Sequence, residues 1–430
     1  MNLLYKICYS ILMVVLLTFG IFIESAEMAF ADETCNLKLN TICDFVIKYP
    51  KKSSIKPPSL SGSTHEIAFQ VKDKESRDGK LWITGQNYDQ LVAIDINKLK
   101  KGEEAFSFYQ LPQGSGPHGI VFDEQGNLWV ALEFAGKVIR LDPAKLNSVR
   151  PIEYGDPAII ENHDVGLYGC TKENKQGETF FHCTNEEINT NPHGLAINND
   201  DHTVWYTGKA TGTLGRIKNR KVESFPISRV NNPDAIVGSV PIYIKTDSQG
   251  NIWFTEWVGN AIGVIKKNET VAKEFKISTP NSRPIMIVEE PGHTNMWFTE
   301  AAGNKVGRIT PDGSISEFSI PKSQDNVILA GLVFDSNKNL WVQQYVQQDI
   351  NVDQTCQFGY DYLVKIDKKI LESSPSDIDK ISFEFYKVPT SGTVMHRINL
   401  GPDGNLWFTE LNTDKIGVLS LTKGESVASR

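Results

Sequence analysis

Long apolar runs are scarce in this 430-residue chain. The one from Ile11 to Ile23 is shorter than the ~20 residues a spanning helix prefers, which argues against a membrane span. Cysteines are few, six in all, and none stand in a Cys-x-x-Cys spacing, which argues against a cysteine-held metal. Basic clusters are lacking as well: 52 Asp and Glu outnumber 44 Lys and Arg for a net charge of −8, which argues against nucleic acid as a partner.

The N-terminus has a pattern of its own. Lys6, the apolar stretch and the small-residue site Ala29-Phe30-Ala31 before Asp32 read as a secretory signal over residues 1–31, with an uncleaved anchor as the competing reading. Loss of one cation (Lys6) and two anions (Glu24, Glu27) would leave a mature chain of charge −7, secreted or periplasmic. Export permits disulfides, and Cys35 with Cys43 and Cys170 with Cys183 are the expected pairs, leaving Cys356 single.

What the chain does have is tryptophan in a repeating context. Seven of its eight, Trp82, Trp129, Trp205, Trp253, Trp297, Trp341 and Trp407, sit in strand-like runs such as Trp253-Phe254-Thr255-Glu256; Trp257 stands outside. A repeat of roughly 40 to 50 residues with Gly, Asn and Asp turns is the signature of four-stranded blades, and seven copies predict an all-β, seven-bladed β-propeller. Each Trp follows an upstream apolar run at a near-constant distance. The offset is 11 residues from His118, Ile242, Ala330 and His396, 12 from His193 and Ile285, and 17 from His65, where the charged stretch 72–78 is inserted. Turns such as Asp123-Glu124-Gln125-Gly126-Asn127 lie between, so each blade begins with a hairpin. A Gly-Asn-x-x-Gly-x-Ile strand and an aromatic strand near proline follow, as in Gly303–Ile309 and Glu317–Pro321. The last blade has no such closing strand, but Asp44–Pro50 has the right pattern and no blade of its own, so it should complete the seventh sheet and remove an exposed edge. Residues 32–430 are therefore expected to form one domain.

Four of the eight histidines share one repeat phase. His65, His118, His193 and His396 open the innermost strands of blades one, two, three and seven, which are consecutive in a closed ring, so the imidazoles should line one side of the channel mouth. Glu133, four residues after Trp129, ends a second strand on the same face and can meet His118. Two insertions, 155–190 and 346–361, belong to loops of that face, where ligands are usually bound. The plainer reading of each histidine is a ring that satisfies backbone groups at a tight strand entry, and of Glu133 a solvated carboxylate. Trp-Phe-Thr-Glu glutamates Glu256, Glu300 and Glu410 read as strand-end packing residues, while His163, His182, His202 and His293 fall in loops.

Pro117-His118-Gly119-Ile120, Trp-Phe-Thr-Glu, Gly259-Asn260-Ala261-Ile262-Gly263-Val264-Ile265 and Glu317-Phe318-Ser319-Ile320-Pro321 together resemble the virginiamycin B lyase (streptogramin lyase) family of seven-bladed propellers, over roughly residues 44 to 425. The resemblance implies that a cyclic depsipeptide is opened at its ester by elimination, with a bound Mg²⁺ and a histidine general acid or base. By motif, the catalytic histidine corresponds to His118, the metal-binding glutamate to Glu133, and a substrate-contacting histidine to His65; His193 and His396 would help position substrate. The family's second metal-binding glutamate, two residues before the catalytic histidine, is Gly116 here. Two other readings stand beside this one: a non-catalytic exported propeller that binds a peptide, glycan or protein partner, and a histidine-ligated transition-metal site. The expected ligand is small and peptide-like or a depsipeptide, and the chain a monomer. A gluconolactonase-like site would need acids and amides on the axis, where histidines stand.

Overall fold

The structure is a computed structural model and describes residues 38–50, 62–71, 79–175, 178–227, 239–346 and 359–421, excepting the side chains of 168–187. Asn36–Arg430 form one compact unit; residues 1–35, the expected signal segment among them, lie outside the described residues. Among the described residues of that unit are seven four-stranded antiparallel sheets and one two-stranded hairpin. The first blade takes Thr64–Val71, Gly79–Gly85, Gln90–Asp95 and Phe106–Gln110 in order from the axis outward. The seventh takes Met395–Leu400, Leu406–Glu410 and Lys415–Leu419 and is closed by the N-terminal strand Ile42–Val46. The chain is a seven-bladed β-propeller.

Ring closure is built as the sequence suggests, with a small shift. Pairing runs from Ile42 opposite Leu419 to Val46 opposite Lys415, two residues earlier than the 44–50 pattern. Asp44 fixes the join, accepting from Lys415 Nζ at 3.0 Å and from Thr390 Oγ1 at 2.6 Å. Tyr49 then leaves the sheet and stacks on Tyr88 of the first blade at 4.9 Å, its hydroxyl 3.0 Å from Thr64 Oγ1.

The repeated motifs are explained by contacts within and between blades. All seven repeat tryptophans are buried, and in four blades the indole N–H donates to the aspartate that shapes the preceding hairpin, as Trp129 does to Asp123 at 3.1 Å and Trp253 to Asp247 at 2.8 Å. Glu290, Gln70 and Thr203 do the same for Trp297, Trp82 and Trp205. The Phe of Trp-Phe-Thr-Glu lies across the Gly of the next strand, so a Cβ on Gly307 would stand 2.1 Å from the Phe298 ring. The Thr joins blades: Thr299 Oγ1 accepts from Met286 N in its own blade and donates to Ala330 O in the next at 2.7 Å. Thr84, Thr255 and Thr409 repeat this pattern, but blade two has Ala131 at that place.

Every inner strand also carries a bulge two residues wide. The register slips between Thr64 and Ile67, Pro117 and Ile120, Pro192 and Leu195, and at the equivalent place in the other four blades. A bulge re-aims side chains that regular pleating would send to opposite faces. Here the bulged pairs are His65-Glu66, His118-Gly119, His193-Gly194 and His396-Arg397.

Three expectations change. Residues 155–190 are not one long loop, since Ile159–Asp164 is the outer strand of blade two, followed by the hairpin Leu167–Lys175 and Glu178–Ile188. His163 and His182 accordingly lie on strands; His163 is buried, parallel to Trp129 and 2.9 Å from Glu161. The hairpin register sets Cys170 opposite Cys183, whose side chains lie outside the described residues. Cys43 is disulfide-bonded, while Cys35, Cys356 and the stretches 72–78 and 347–358 are outside those described. No helix among the described residues is long and apolar enough to cross a membrane.

Candidate active site

The bulges bring the four phase-matched histidines together at the axis. His118 is the hub, with its ring centroid 3.7 Å from His193, 5.1 Å from His65 and 5.6 Å from His396; His65 and His396 are 5.1 Å apart. His65, His118 and His193 are buried, and His396 is partly open. Backbone carbonyls fix two of the rings: His65 Nδ1 lies 2.7 Å from Ser63 O and His193 Nδ1 2.8 Å from Ile242 O. A carbonyl accepts only, so both Nδ1 atoms carry the proton and both Nε2 atoms present a lone pair. The plainer reading of a backbone-satisfying ring therefore describes half of His65 and His193. It does not describe His118, whose buried Nδ1 has no hydrogen-bond partner among the described residues, nor His396 Nε2, in the same condition.

Burial sets the charge state of this group. It pushes the His65 imidazole down to about 4, with Arg397 and Lys209 adding to the effect and the Ser63 carbonyl opposing it. His118, His193 and His396 are held well below the ordinary imidazole value, again chiefly by burial, with neighbouring imidazoles and cations contributing. At neutral pH all four are uncharged, the form that acts as a base or ligates a metal.

Glu133 is not a solvated loop carboxylate. It is 4% exposed, and its oxygens are held by Gln86 Nε2 at 2.7 Å and Lys209 Nζ at 2.8 Å. Its ligand atom lies within 4.8 Å of those of His118 and His193. A second group of the same span joins Glu66, His118 and His396. These two groups are possible metal-binding arrangements, each with two imidazoles and one carboxylate; no group among the described residues gathers all four histidines.

Sequence reasoning missed Glu66 and Arg397. Glu66 Oε1 is 3.7 Å from His118 Nδ1 and 3.9 Å from His396 Nε2, and the Arg397 Nε atom is 2.5 Å from the same oxygen. Burial raises the Glu66 carboxyl, and the guanidinium opposes that rise. Arg397 is itself buried and reaches across the channel to the Tyr243 ring of blade four at 5.2 Å. The signal was adjacency to the phase-matched histidines, but strand alternation would have turned both side chains away from the axis. Gln86 and Lys209, in loops between second and third strands, carried no repeat signal.

The structure also accounts for Gly116. Its φ is +54°, its N–H donates to Asp89 Oδ1 at 2.8 Å, and a Cβ there would stand 2.3 Å from the Phe134 ring. The positive φ is no bar to a side chain, since Asn191, Val240, Arg283 and Val394 stand at the same place in their blades at φ +47° to +54°; what a glutamate would meet here is the Phe134 ring.

Fold and centre define the class: a seven-bladed propeller with a neutral imidazole cluster and two ion-paired carboxylates at its axis. Within that class residues 163–360, a little under half of the chain, match the Virginiamycin B lyase family. A streptogramin B lyase structure aligns over 89% of this chain and 97% of its own, at 20% identity and a TM-score of 0.60. The virginiamycin B lyase of Staphylococcus aureus aligns over 89% and 99%, at 22% identity and 0.59. A hydrazine synthase of Kuenenia stuttgartiensis follows with 87% and 100%, at 14% identity and 0.55. At these identities the likeness is one of fold. No curated protein matches the sequence.

Proposed function

We propose that the chain is an exported propeller that opens a cyclic depsipeptide or similar peptide-like ester by elimination, with His118 as the general base. The observation behind this reading is the convergence of four neutral imidazoles with Glu66 and Glu133 around His118, whose buried Nδ1 has no hydrogen-bond partner among the described residues. A base of this kind removes a proton α to a carbonyl, the C–H electron pair becomes the C=C bond, and the alkyl C–O bond of the ester breaks so that its electrons leave with the carboxylate. The imidazolium formed at His118 would sit 3.7 Å from Glu66 Oε1, which stabilises it. His65, His193 and His396 shape the pocket and position the substrate. Export is supported by the disulfide at Cys43 together with the N-terminal pattern.

Mg²⁺, which the family resemblance implies, does not fit this donor set. It needs a shell of oxygens, yet Gly116 supplies none, Glu66 is tied to Arg397, and both oxygens of Glu133 are taken. Two imidazoles beside one carboxylate suit a transition-metal dication better. The elimination step above is accordingly one that side chains alone perform.

Quinupristin, the compound named with a catalytically inactive form of the Staphylococcus aureus enzyme, is the first substrate to try. Ring-opening elimination yields an isomer, with unchanged mass, a new alkene absorbance and a free carboxylate. Liquid chromatography with mass spectrometry should show that isomer with the wild-type chain and not with His118→Ala. A product heavier by one water, or intact quinupristin, contradicts the reading; bound but intact quinupristin would favour the non-catalytic binding propeller.

A further inference from the structure

One of the contacts behind the misfit with Mg²⁺ comes from Lys209. Lys209 reaches from the loop between the second and third strands of blade three and donates to Glu133 Oε1 at 2.8 Å; its side chain is 39% exposed while that of Glu133 is 5% exposed. An ammonium open to solvent thus closes a buried carboxylate that has His118 and His193 beside it. His193 Nδ1 faces the Ile242 carbonyl, so its Nε2 lone pair is available, and His118 places a ring nitrogen within 4.8 Å of the ligand atoms of Glu133 and His193. The second group is closed in a different way, because Arg397 at Glu66 is only 2% exposed and has no solvent path to swing into.

We infer that His118, Glu133 and His193 form a latent site for a transition-metal dication, with the Lys209 ammonium standing in the ion's place as its built-in competitor. Lysine is a compact charge on a flexible four-carbon stem, which can leave the carboxylate when its charge is displaced. A dication and the ammonium repel each other at these distances, so occupancy by one excludes the other. The donors, two imidazoles and a carboxylate, are those that hold Zn²⁺ or Co²⁺ and leave a coordination position open.

The test needs no turnover, so inertness toward quinupristin would leave this inference untouched. Co²⁺ and Mg²⁺ are titrated separately into the full chain, followed by calorimetry and by the visible absorption of bound Co²⁺. Lys209→Met should bind one Co²⁺ at least about tenfold more tightly than wild type, and the gain should vanish in the double variant Lys209→Met with His193→Gln. Lys209→Arg keeps the charge and should bind Co²⁺ as wild type does, and no form should take up Mg²⁺ stoichiometrically. Equal Co²⁺ affinity of wild type and Lys209→Met overturns the inference. So does the same gain in Lys209→Arg, a tight site that survives loss of His193, or stoichiometric Mg²⁺ in the wild type.

Discussion

The buried pair Glu66–Arg397 lies in direct contact with the histidines and carries a cost of its own. Two charges taken out of water are tolerated only as a pair, and breaking one costs far more than removing both. Glu66→Gln should destabilise the chain by about 3 kcal/mol, and Glu66→Gln combined with Arg397→Met should recover most of that loss, as read from urea midpoints. Additive losses would show that the two residues act independently. At this scale the sequence revealed the histidines and Glu133, because a repeated phase marks a shared position in the ring. Glu66 and Arg397 stayed hidden because the two-residue bulge breaks the alternation that assigns faces, and Lys209 because a loop lysine has no phase at all.

Among the strands, the motifs are contacts between neighbours. The Phe–Gly pairing of second and third strands makes Gly307→Ala costly, since the new methyl meets the Phe298 ring at 2.1 Å. A loss of about 1–3 kcal/mol is expected, and Phe298→Leu in the same chain should relieve part of it; an unchanged melting temperature for Gly307→Ala would contradict the contact. Hairpins were legible because aspartate, glycine and the downstream Trp recur together. Blade two's outer strand was not, because its residues Glu161, Asn162, His163 and Asp164 are polar; its place comes from the ladder along Lys137–Leu141, the ion pairs of Glu161 with Arg140 and of Asp164 with Lys137, and the stacking of His163 on Trp129. The clamp threonine of blade two is Ala131, so the junction that carries His118 and His193 lacks the bridge its neighbours have.

For the whole molecule, two sets of buried groups act on stability in opposite senses. The histidines are depressed on folding, to about 4 for His65 against an ordinary 6.5, so their contribution is complete above pH 6.5 and is lost as pH falls toward 4. Glu256, Glu300 and Glu410 are raised by burial to about 8 from 4.5, so theirs is complete below pH 4.5 and is lost as pH rises toward 8. Between pH 6.5 and 8 these three glutamates contribute a downward slope. The urea midpoint should therefore fall across that window, and the triple variant Glu256→Gln, Glu300→Gln, Glu410→Gln should flatten it; an equal fall in the variant would contradict their burial as acids. The claim on which the site rests is the neutrality of the axial imidazoles, and long-range ¹H–¹⁵N spectra of the histidine side chains across a pH titration test it directly, with each ring assigned by a single His→Gln variant. His65 should titrate near pH 4 and the rings of His118, His193 and His396 should titrate well below the ordinary imidazole value. A midpoint at the ordinary 6.5 for any of the four would place that ring in water and dissolve the centre.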